Sequence, residues 1–420
     1  MSFSSQKKFS KPLLYLLIAY TLIYFIWKIL FPMFSQRPDL GTDFTAYYAA
    51  GKFVLNGENI YRSSDNHTVI YLSEEEQNTW GLHRKEISPY IYPSFLAIAL
   101  SPLTLMNFQN ALLVWKIFSL LFFILNIYLL FKCLKLKFEI NFSVVLILFI
   151  FFTASATMEN FLSGQVNLLL MSLILFSYLF NEKGIYSAAG LFLACAILIK
   201  LIPAVLLLYF LLRKDYKTFL YSIVFVFVIL LSVNIFISPY DLDYITNVLP
   251  AVSLNKPELN NKSYLVWWKF IFNDNDFVKP LTNLPSSPII IFITTSIALV
   301  TAVIVKFRKN IKAAVSENNF YLFAIFLCLM LLLNPYLQIP HLIFAFVPLA
   351  VVIGFYKEGW NWKRLLTVAI IFILINNRGE NAFEKLGYYW WNAFLTTPQI
   401  YGLLILFFLF LSFPRRRESR

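Results

Sequence analysis

The first candidate for chemistry is the carboxylate of Asp43, at the start of a segment with helical periodicity. Four apolar residues follow it at helical spacing: Ala46, Ala49, Ala50 and Phe53. This spacing predicts a short amphipathic helix on a membrane surface, with Asp43 at its N-cap or in its first turn. The helix dipole favours an ionised carboxylate there, so Asp43 could serve as a general base for an acceptor hydroxyl. The alternative is that Asp43 only caps the helix.

Two basic side chains lie close to the predicted membrane surface. Lys200 interrupts an apolar stretch, residues 194–212, shortly before Pro203. A lysine at membrane depth costs a few kcal/mol, so it usually faces a cavity or a partner. Lys200 could therefore hold a lipid phosphate, or it could extend to the outer headgroups instead. His341 alone among the three histidines begins a predicted helix near the membrane, where a structural role is the simpler interpretation.

Amide side chains form a third candidate group, at a polar turn between two apolar runs. Gln165 and Asn167 have apolar neighbours on both sides and follow Glu159, Asn160 and Gly164. Amides often join membrane helices by hydrogen bonds. The alternative is that Gln165 and Asn167 line a sugar-binding site.

Several kinds of site are missing from the sequence. Cys133, Cys195 and Cys328 are far apart and have neither metal-ligand nor redox spacing. The histidines form no metal motif, and there is no Walker A motif, dinucleotide fingerprint or Ser-His-Asp signature. These absences argue against ATP-driven transport and against chemistry on nucleotide sugars.

The composition shows which elements must position these residues. The 420 residues are 59% hydrophobic and only 14% charged, whereas soluble domains carry about 25% charged residues. Such a chain needs lipid around it, and within lipid only helices or closed barrels satisfy the backbone. Residues 221–237 are almost continuously apolar and do not alternate as barrel strands do. We therefore predict an all-α polytopic membrane protein, in which a net charge of +13 sets orientation and does not bind nucleic acid.

About twelve apolar runs are long enough to count as candidate membrane helices, although several fall short of a straight span. They lie near residues 13–31, 110–131, 140–157, 162–180, 184–199, 201–212, 217–237, 287–306, 319–334, 340–356, 363–376 and 398–413. The first is long and lacks a small-x-small cleavage site, so we interpret it as a retained helix and not as a signal peptide. Residues 92–106 are interpreted as an interfacial or re-entrant segment.

Basic clusters orient this single membrane domain, which spans residues 1–420. With the N-terminus in the cytoplasm, the clusters at 132–137, 213–217, 306–312 and 415–420 all fall on the cytoplasmic side. Two long, acidic loops, 35–91 and 238–286, and a shorter one near 377–397 then lie outside. Long loops are usually functional. We therefore expect an extracytoplasmic site, both termini in the cytoplasm, and a location in a bacterial plasma membrane.

A series of short motifs runs along most of the chain: Asp43-Phe44-x-x-Tyr47-Tyr48-x-Ala50, Gly57-x-x-x-Tyr61, Tyr92-Pro93, Ser101-Pro102-Leu103, Trp115, Gly164-Gln165-Val166-Asn167, Lys200-Leu201-Ile202-Pro203, Asn334-Pro335 and His341. In the order of these motifs, the chain resembles glycosyltransferase family 87, the polyprenyl-phosphate-mannose-dependent mannosyltransferases with the GT-C fold. The resemblance covers most of the chain.

The resemblance implies a GT-C-type helical bundle that transfers a hexose, expected to be mannose, from a polyprenyl-phosphate donor to a lipid or glycan acceptor. One inverting displacement would use Asp43 as the base, with Lys200 and His341 on the donor phosphate. Tyr47, Tyr48, Gln165 and Asn167 would contact sugar or acceptor. A monophosphate leaving group needs a metal less than a pyrophosphate does, so we expect no metal and no cofactor.

Two other functions remain open at this point. A transporter or flippase of lipid-linked sugars would place charged residues at the middle of the bilayer. Only Lys28, Lys116 and Lys200 interrupt predicted helices, and no acidic residue does. A surface-polysaccharide polymerase or ligase would carry a large, arginine-containing loop late in the chain, whereas the largest loop here is the first.

Overall fold

The computed structural model describes residues 10–35, 40–62, 69–82, 84–237, 239–254, 260–274, 278–307, 319–357, 359–378 and 389–412. Parts of both long loops therefore lie outside the described residues.

The described residues are mainly helical. The helices are α1 (Lys11–Phe34, with a π-helical turn at Ile26–Leu30), α2 (Thr42–Asn56), α3 (Glu74–Trp80), α4 (Ser94–Leu100), α5 (Phe108–Cys133), α6 (Phe142–Thr153), α7 (Ser155–Ser163), α8 (Asn167–Glu182), α9 (Tyr186–Ile199), α10 (Val205–Leu212), α11 (Tyr216–Phe236), α12 (Tyr240–Asp243), α13 (Leu249–Leu254), α14 (Tyr264–Phe272), α15 (Ser287–Phe307), α16 (Asn319–Leu332), α17 (Phe346–Tyr356), α18 (Trp362–Asn376), α19 (Ala393–Thr396) and α20 (Pro398–Ser412). Further helical turns occupy Ser101–Leu105, Ile202–Ala204, Tyr244–Val248, Ile339–Ala345 and Trp390–Asn392. Ile70–Tyr71 and Glu86–Ile87 pair as a two-stranded antiparallel sheet.

The predicted count of about twelve membrane helices is not confirmed. Among the described residues, five helices are long and apolar enough to cross a membrane: α1, α5, α11, α15 and Ile339–Tyr356. The count rises to seven if two bent pairs, α6 with α7 and Trp390–Thr396 with α20, each form one span. Four other predicted runs fold as shorter apolar helices, at Asn167–Glu182, Tyr186–Ile199, Ile202–Leu212 and Phe320–Leu332. The long apolar helices and the mainly helical architecture are those of an all-α integral membrane protein.

Some helices are buried inside the bundle, whereas others expose large apolar side chains. Along α16 the side chains of residues 322–332 are all buried, and those of 342–350 are buried as well. By contrast, α11 and α15 expose large apolar side chains such as Phe227, Ile235, Ile290 and Ile297. A surface of that composition is stable against lipid and not against water, so α11 and α15 lie at the periphery of the bundle.

Helix α2 is buried on almost all sides and is not an amphipathic surface helix. Residues 44–51 are buried without interruption, because α4, the turn at Ser101–Leu105, α5 and α7 pack around the helix. The N-cap is Gly41, which has φ +70°, and Asp43 lies in the first turn. The N-cap position considered for Asp43 is therefore wrong, and its first-turn position is confirmed.

A break in the predicted 140–157 helix brings polar groups into the bundle. The chain bends by 43° between α6 and α7, where Ala154 is extended. Helix α7 then ends at Gly164, whose φ of +74° is the left-handed conformation that favours glycine. The turn that follows, residues 164–166, is buried, so the amide side chains next to it point into the protein.

Candidate active site

Lys200 is the centre of a buried polar cluster. It ends α9 with an extended backbone, and its side chain is 5% exposed. Its Nζ donates to Asn167 Oδ1 at 2.8 Å and to Gln165 Oε1 at 3.3 Å. Because this amine is enclosed and hydrogen-bonded inside the protein, the alternative in which Lys200 extends to the lipid headgroups is wrong.

The two amides that contact Lys200 also present donors. Gln165 and Asn167 flank the start of α8, directly after the Gly164 turn. Their oxygens accept from Lys200, while Gln165 Nε2 and Asn167 Nδ2 are buried and have no hydrogen-bond partner within the described residues. Buried amide N–H groups without a partner cost roughly 1–3 kcal/mol each. Such groups therefore indicate a site built to receive hydrogen-bond acceptors.

His341 reaches the cluster from the opposite end of the sequence. It lies in the helical turn Ile339–Ala345, and its Nε2 is 2.9 Å from Lys200 Nζ. The backbone N–H of Gln338 donates to His341 Nδ1 at 3.0 Å, which fixes the orientation of the ring. Asn160 of α7 donates to the carbonyl of Pro340 at 2.7 Å and so joins this turn to the Gly164 region.

Two tyrosines line the cluster, one from α2 and one from the segment just before α4. The Tyr47 hydroxyl donates to Gln165 Oε1 at 3.1 Å, from a side chain that is fully buried. The Tyr92 ring centroid lies 5.0 Å from Lys200 Nζ and packs edge-on against the Tyr47 ring. Burial raises the pKa of both phenols, so they remain neutral hydroxyl groups.

Asp43 is the carboxylate beside this cluster. It is half-buried in the first turn of α2, close enough to Lys200 for their charges to interact, although the two form no direct ion pair. Burial raises the pKa of Asp43 above its usual value, while the nearby Ser163 hydroxyl, a positive charge on Lys200 and the nearby Gln165 amide oppose that effect. A carboxylate with a raised pKa is a stronger base than a free one.

The arrangement combines one base with a group of convergent donors. Lys200, His341 and the amides of Gln165 and Asn167 offer N–H groups around one buried point, and Asp43 lies to its side. Donors fixed in a buried site stabilise negative charge more strongly than water does. The site can thus hold an anion and accept a proton next to it.

Six of the seven residues predicted from the sequence come together here: Asp43, Tyr47, Gln165, Asn167, Lys200 and His341. The seventh, Tyr48, does not join them, because successive residues of a helix point about 100° apart. Its hydroxyl donates to the carbonyl of Met106 at 2.8 Å, and its ring packs against Phe108 and Trp80. Tyr48 holds α2 against the start of α5.

Three residues of the site region were missed from the sequence. Tyr92 was noted only as part of the Tyr92-Pro93 motif, and Ser163 carries no signal beyond its place before the Gly164 motif. Asp241 is buried and accepts from the backbone N–H and the hydroxyl of Ser94, at 3.1 and 2.7 Å. It therefore ties the start of the second loop to the segment that carries Tyr92, a contact across 147 residues that no local pattern reveals.

Within the described part of the chain, no three His, Cys, Asp or Glu side chains lie close enough together to hold a metal ion. The predicted metal independence stays a prediction.

Comparison with known protein families finds a match that covers part of the candidate site. The family model described as glycosyltransferase family 87 matches residues 90–335, which is more than half of the 420 residues. The matched segment contains Gln165, Asn167 and Lys200, whereas Asp43 and His341 lie on either side of it. No curated protein matches the sequence.

Proposed function

The chain belongs to glycosyltransferase family 87 and is a membrane glycosyltransferase, and from that premise we propose its donor, direction and mechanism. It transfers a hexose from a polyprenyl-phosphate donor to a lipid or glycan acceptor on the extracytoplasmic side of a bacterial plasma membrane. Mannose is the hexose that the family resemblance implies. Both termini lie in the cytoplasm.

The observation that supports this proposal most directly is the group of donors around Lys200. Gln165 Nε2 and Asn167 Nδ2 are buried without partners, next to a lysine and a histidine that are themselves buried. The two amide N–H groups need hydrogen-bond acceptors, and a buried lysine and histidine favour a negative charge beside them. A phosphate supplies several acceptor oxygens and a negative charge. The site lies between apolar helices, so a ligand with a lipid tail suits it better than a soluble nucleotide.

The proposed reaction is a single displacement. The acceptor hydroxyl attacks the anomeric carbon while Asp43 takes its proton, and the bond from that carbon to the phosphate oxygen breaks. The electron pair of that bond leaves with the polyprenyl phosphate, which gains a second negative charge. Lys200 and His341 stabilise that charge as it develops, because they are already in place beside it. The sugar carbon inverts its configuration.

A transfer assay in proteoliposomes tests the donor. Purified protein is given polyprenyl-phosphate-mannose or GDP-mannose, each with labelled mannose, together with lipids extracted from the source membranes as acceptors. The proposal predicts label in the acceptor fraction from the lipid-linked donor alone, with no loss of transfer in EDTA. Transfer from GDP-mannose alone, or loss of activity on chelation that added Mg²⁺ restores, would contradict it.

A further inference from the structure

The hydrogen bonds around His341 determine which of its ring nitrogens carries a proton. The backbone N–H of Gln338 points at Nδ1 from 3.0 Å, so Nδ1 must offer a lone pair. Turning the ring over would place a carbon against that N–H and leave it without a partner. A neutral imidazole has one N–H and one lone pair, so the proton of His341 is on Nε2.

That assignment places an N–H group opposite the Lys200 nitrogen, 2.9 Å away. An ammonium group has three N–H donors and no lone pair, so it cannot accept from His341. An uncharged amine has two N–H groups and one lone pair. Its two donors match Asn167 Oδ1 and Gln165 Oε1, and its lone pair matches His341 Nε2–H, so every contact of the nitrogen pairs a donor with an acceptor.

We propose that Lys200 is an uncharged amine before the donor binds, and that it takes up one proton when a phosphate ester enters the site. Before the donor binds, His341 positions the amine through its Nε2–H. Protonation removes the lone pair of the amine, so this N–H then donates to a phosphate oxygen. This inference rests on the proposed function, since it assumes that the ligand is a phosphate.

The groups that face Lys200 from the surrounding elements are consistent with a neutral amine. They are Asp43 and Tyr47 of α2, Tyr92 before α4, and His341. Tyr47, Tyr92 and His341 are uncharged, and the Asp43 carboxylate is not in contact with the amine. A buried ammonium without a direct counter-ion pays a large desolvation cost, which the neutral form avoids.

A bound donor reverses that balance. A sugar phosphodiester carries one negative charge at any physiological pH, and beside it an ammonium becomes the favoured form. The proton for Lys200 comes from water as the donor binds, and it is separate from the acceptor proton that Asp43 removes. During the displacement this ammonium faces the second charge that develops on the leaving phosphate.

Calorimetric titration with a simple phosphodiester, citronellyl methyl phosphate, tests the proposal. This probe has no group that titrates near neutral pH. Binding to the purified protein in nanodiscs is measured at about pH 8.5 in two buffers of different ionisation heat. An ordinary lysine, with a pKa of about 10.4, is already charged there and takes up nothing. The proposal predicts uptake of about one proton per ligand, and an affinity that falls about tenfold per pH unit as the pH rises.

Two variants identify the group that is protonated. Lys200→Arg keeps a permanent charge, so it binds without proton uptake and with little pH dependence. Asp43→Asn removes the nearby carboxyl group and keeps the uptake. Wild-type binding with no uptake, or uptake that persists in Lys200→Arg, overturns the proposal even if transfer from the lipid-linked donor is established. Failure of the wild type to bind the probe overturns the phosphate site itself. If Lys200→Arg does not fold, Lys200→Met takes its place: it lacks the amine, so uptake that persists in it overturns the proposal.

Discussion

Asp43 combines a position next to the proposed phosphate site with a pKa that burial raises. A base must be ionised to accept a proton, so transfer needs a pH above that raised pKa. We predict that the transfer rate reaches a plateau above the pKa of Asp43 and falls as the pH decreases through that pKa, at a higher pH than an ordinary aspartate would give. The pH dependence of kcat at saturating donor measures this.

A kcat that stays constant down to about pH 3.9, where a free aspartate titrates, would contradict this prediction. An Asp43→Glu variant is the matched comparison. Its longer side chain keeps the carboxylate and moves it, so the rate should drop while an acidic limb remains in the profile.

At the residue scale, the sequence identified most of the site. Lys200, Gln165 and Asn167 stood out because polar groups are rare in apolar runs, and membrane burial makes each of them costly without a partner. What pattern reading could not provide was the contact between them. Asp241 was missed because an aspartate in an acidic loop looks solvated, and only the fold shows that it caps the segment beginning at Ser94.

At the element scale, two glycines let α2 approach the turn that carries Gln165. Gly41 donates to the carbonyl of Leu162 at 2.8 Å, and a Cβ at Gly164 would lie 2.8 Å from Phe44 Cβ and 3.7 Å from Gly41 Cα. The close approach places Asp43 beside Ser163. A side chain at position 164 would push α2, and with it the base, away from the amides.

Gly164→Ala and Gly184→Ala form a matched pair that tests this packing. Both glycines have a left-handed backbone, with φ of +74° and +75°, but no atom lies within 4 Å of a Cβ at Gly184. We predict that Gly184→Ala costs about 1 kcal/mol from backbone strain alone and keeps full transfer activity. Gly164→Ala should cost a further 1–3 kcal/mol, roughly, and reduce kcat strongly. Melting temperature in detergent and the transfer assay measure both effects, and equal behaviour of the two variants would contradict the prediction.

The helices themselves were largely predictable, and their burial was not. Apolar runs located α5, α11 and α15 to within a few residues, because lipid requires long apolar helices. Helix α2 was expected on a surface, since its apolar residues recur at the spacing of an amphipathic helix. Instead its small residues, Ala46, Ala49, Ala50 and Gly51, allow other helices to pack closely on several sides. The sequence shows small residues but does not show what approaches them.

At the scale of the whole molecule, the proposed orientation depends on the distribution of basic residues and places α3 outside and the α5–α6 connection inside. Glu75 on α3 and Lys137 in that connection are both exposed, so a cysteine at either position can react with a reagent that reaches it. In a cysteine-free background, we predict that a membrane-impermeant maleimide labels Glu75→Cys in intact cells and labels Lys137→Cys only after permeabilisation. The reverse pattern would place the site on the cytoplasmic side.

The central claim is that Asp43 removes the acceptor proton beside a phosphate held at Lys200, and Asp43→Asn tests it most directly. Asparagine is close to aspartate in size but cannot accept the proton. Residue 43 lies in the first turn of α2 and is not its N-cap, so the substitution removes no N-cap residue. The measurement is kcat for mannose transfer from polyprenyl-phosphate-mannose, together with the affinity for the phosphodiester probe, at equal protein and equal melting temperature. We predict a loss in kcat of at least about 100-fold with probe affinity changed only a few-fold. Transfer by Asp43→Asn at close to the wild-type rate would show that the base lies elsewhere.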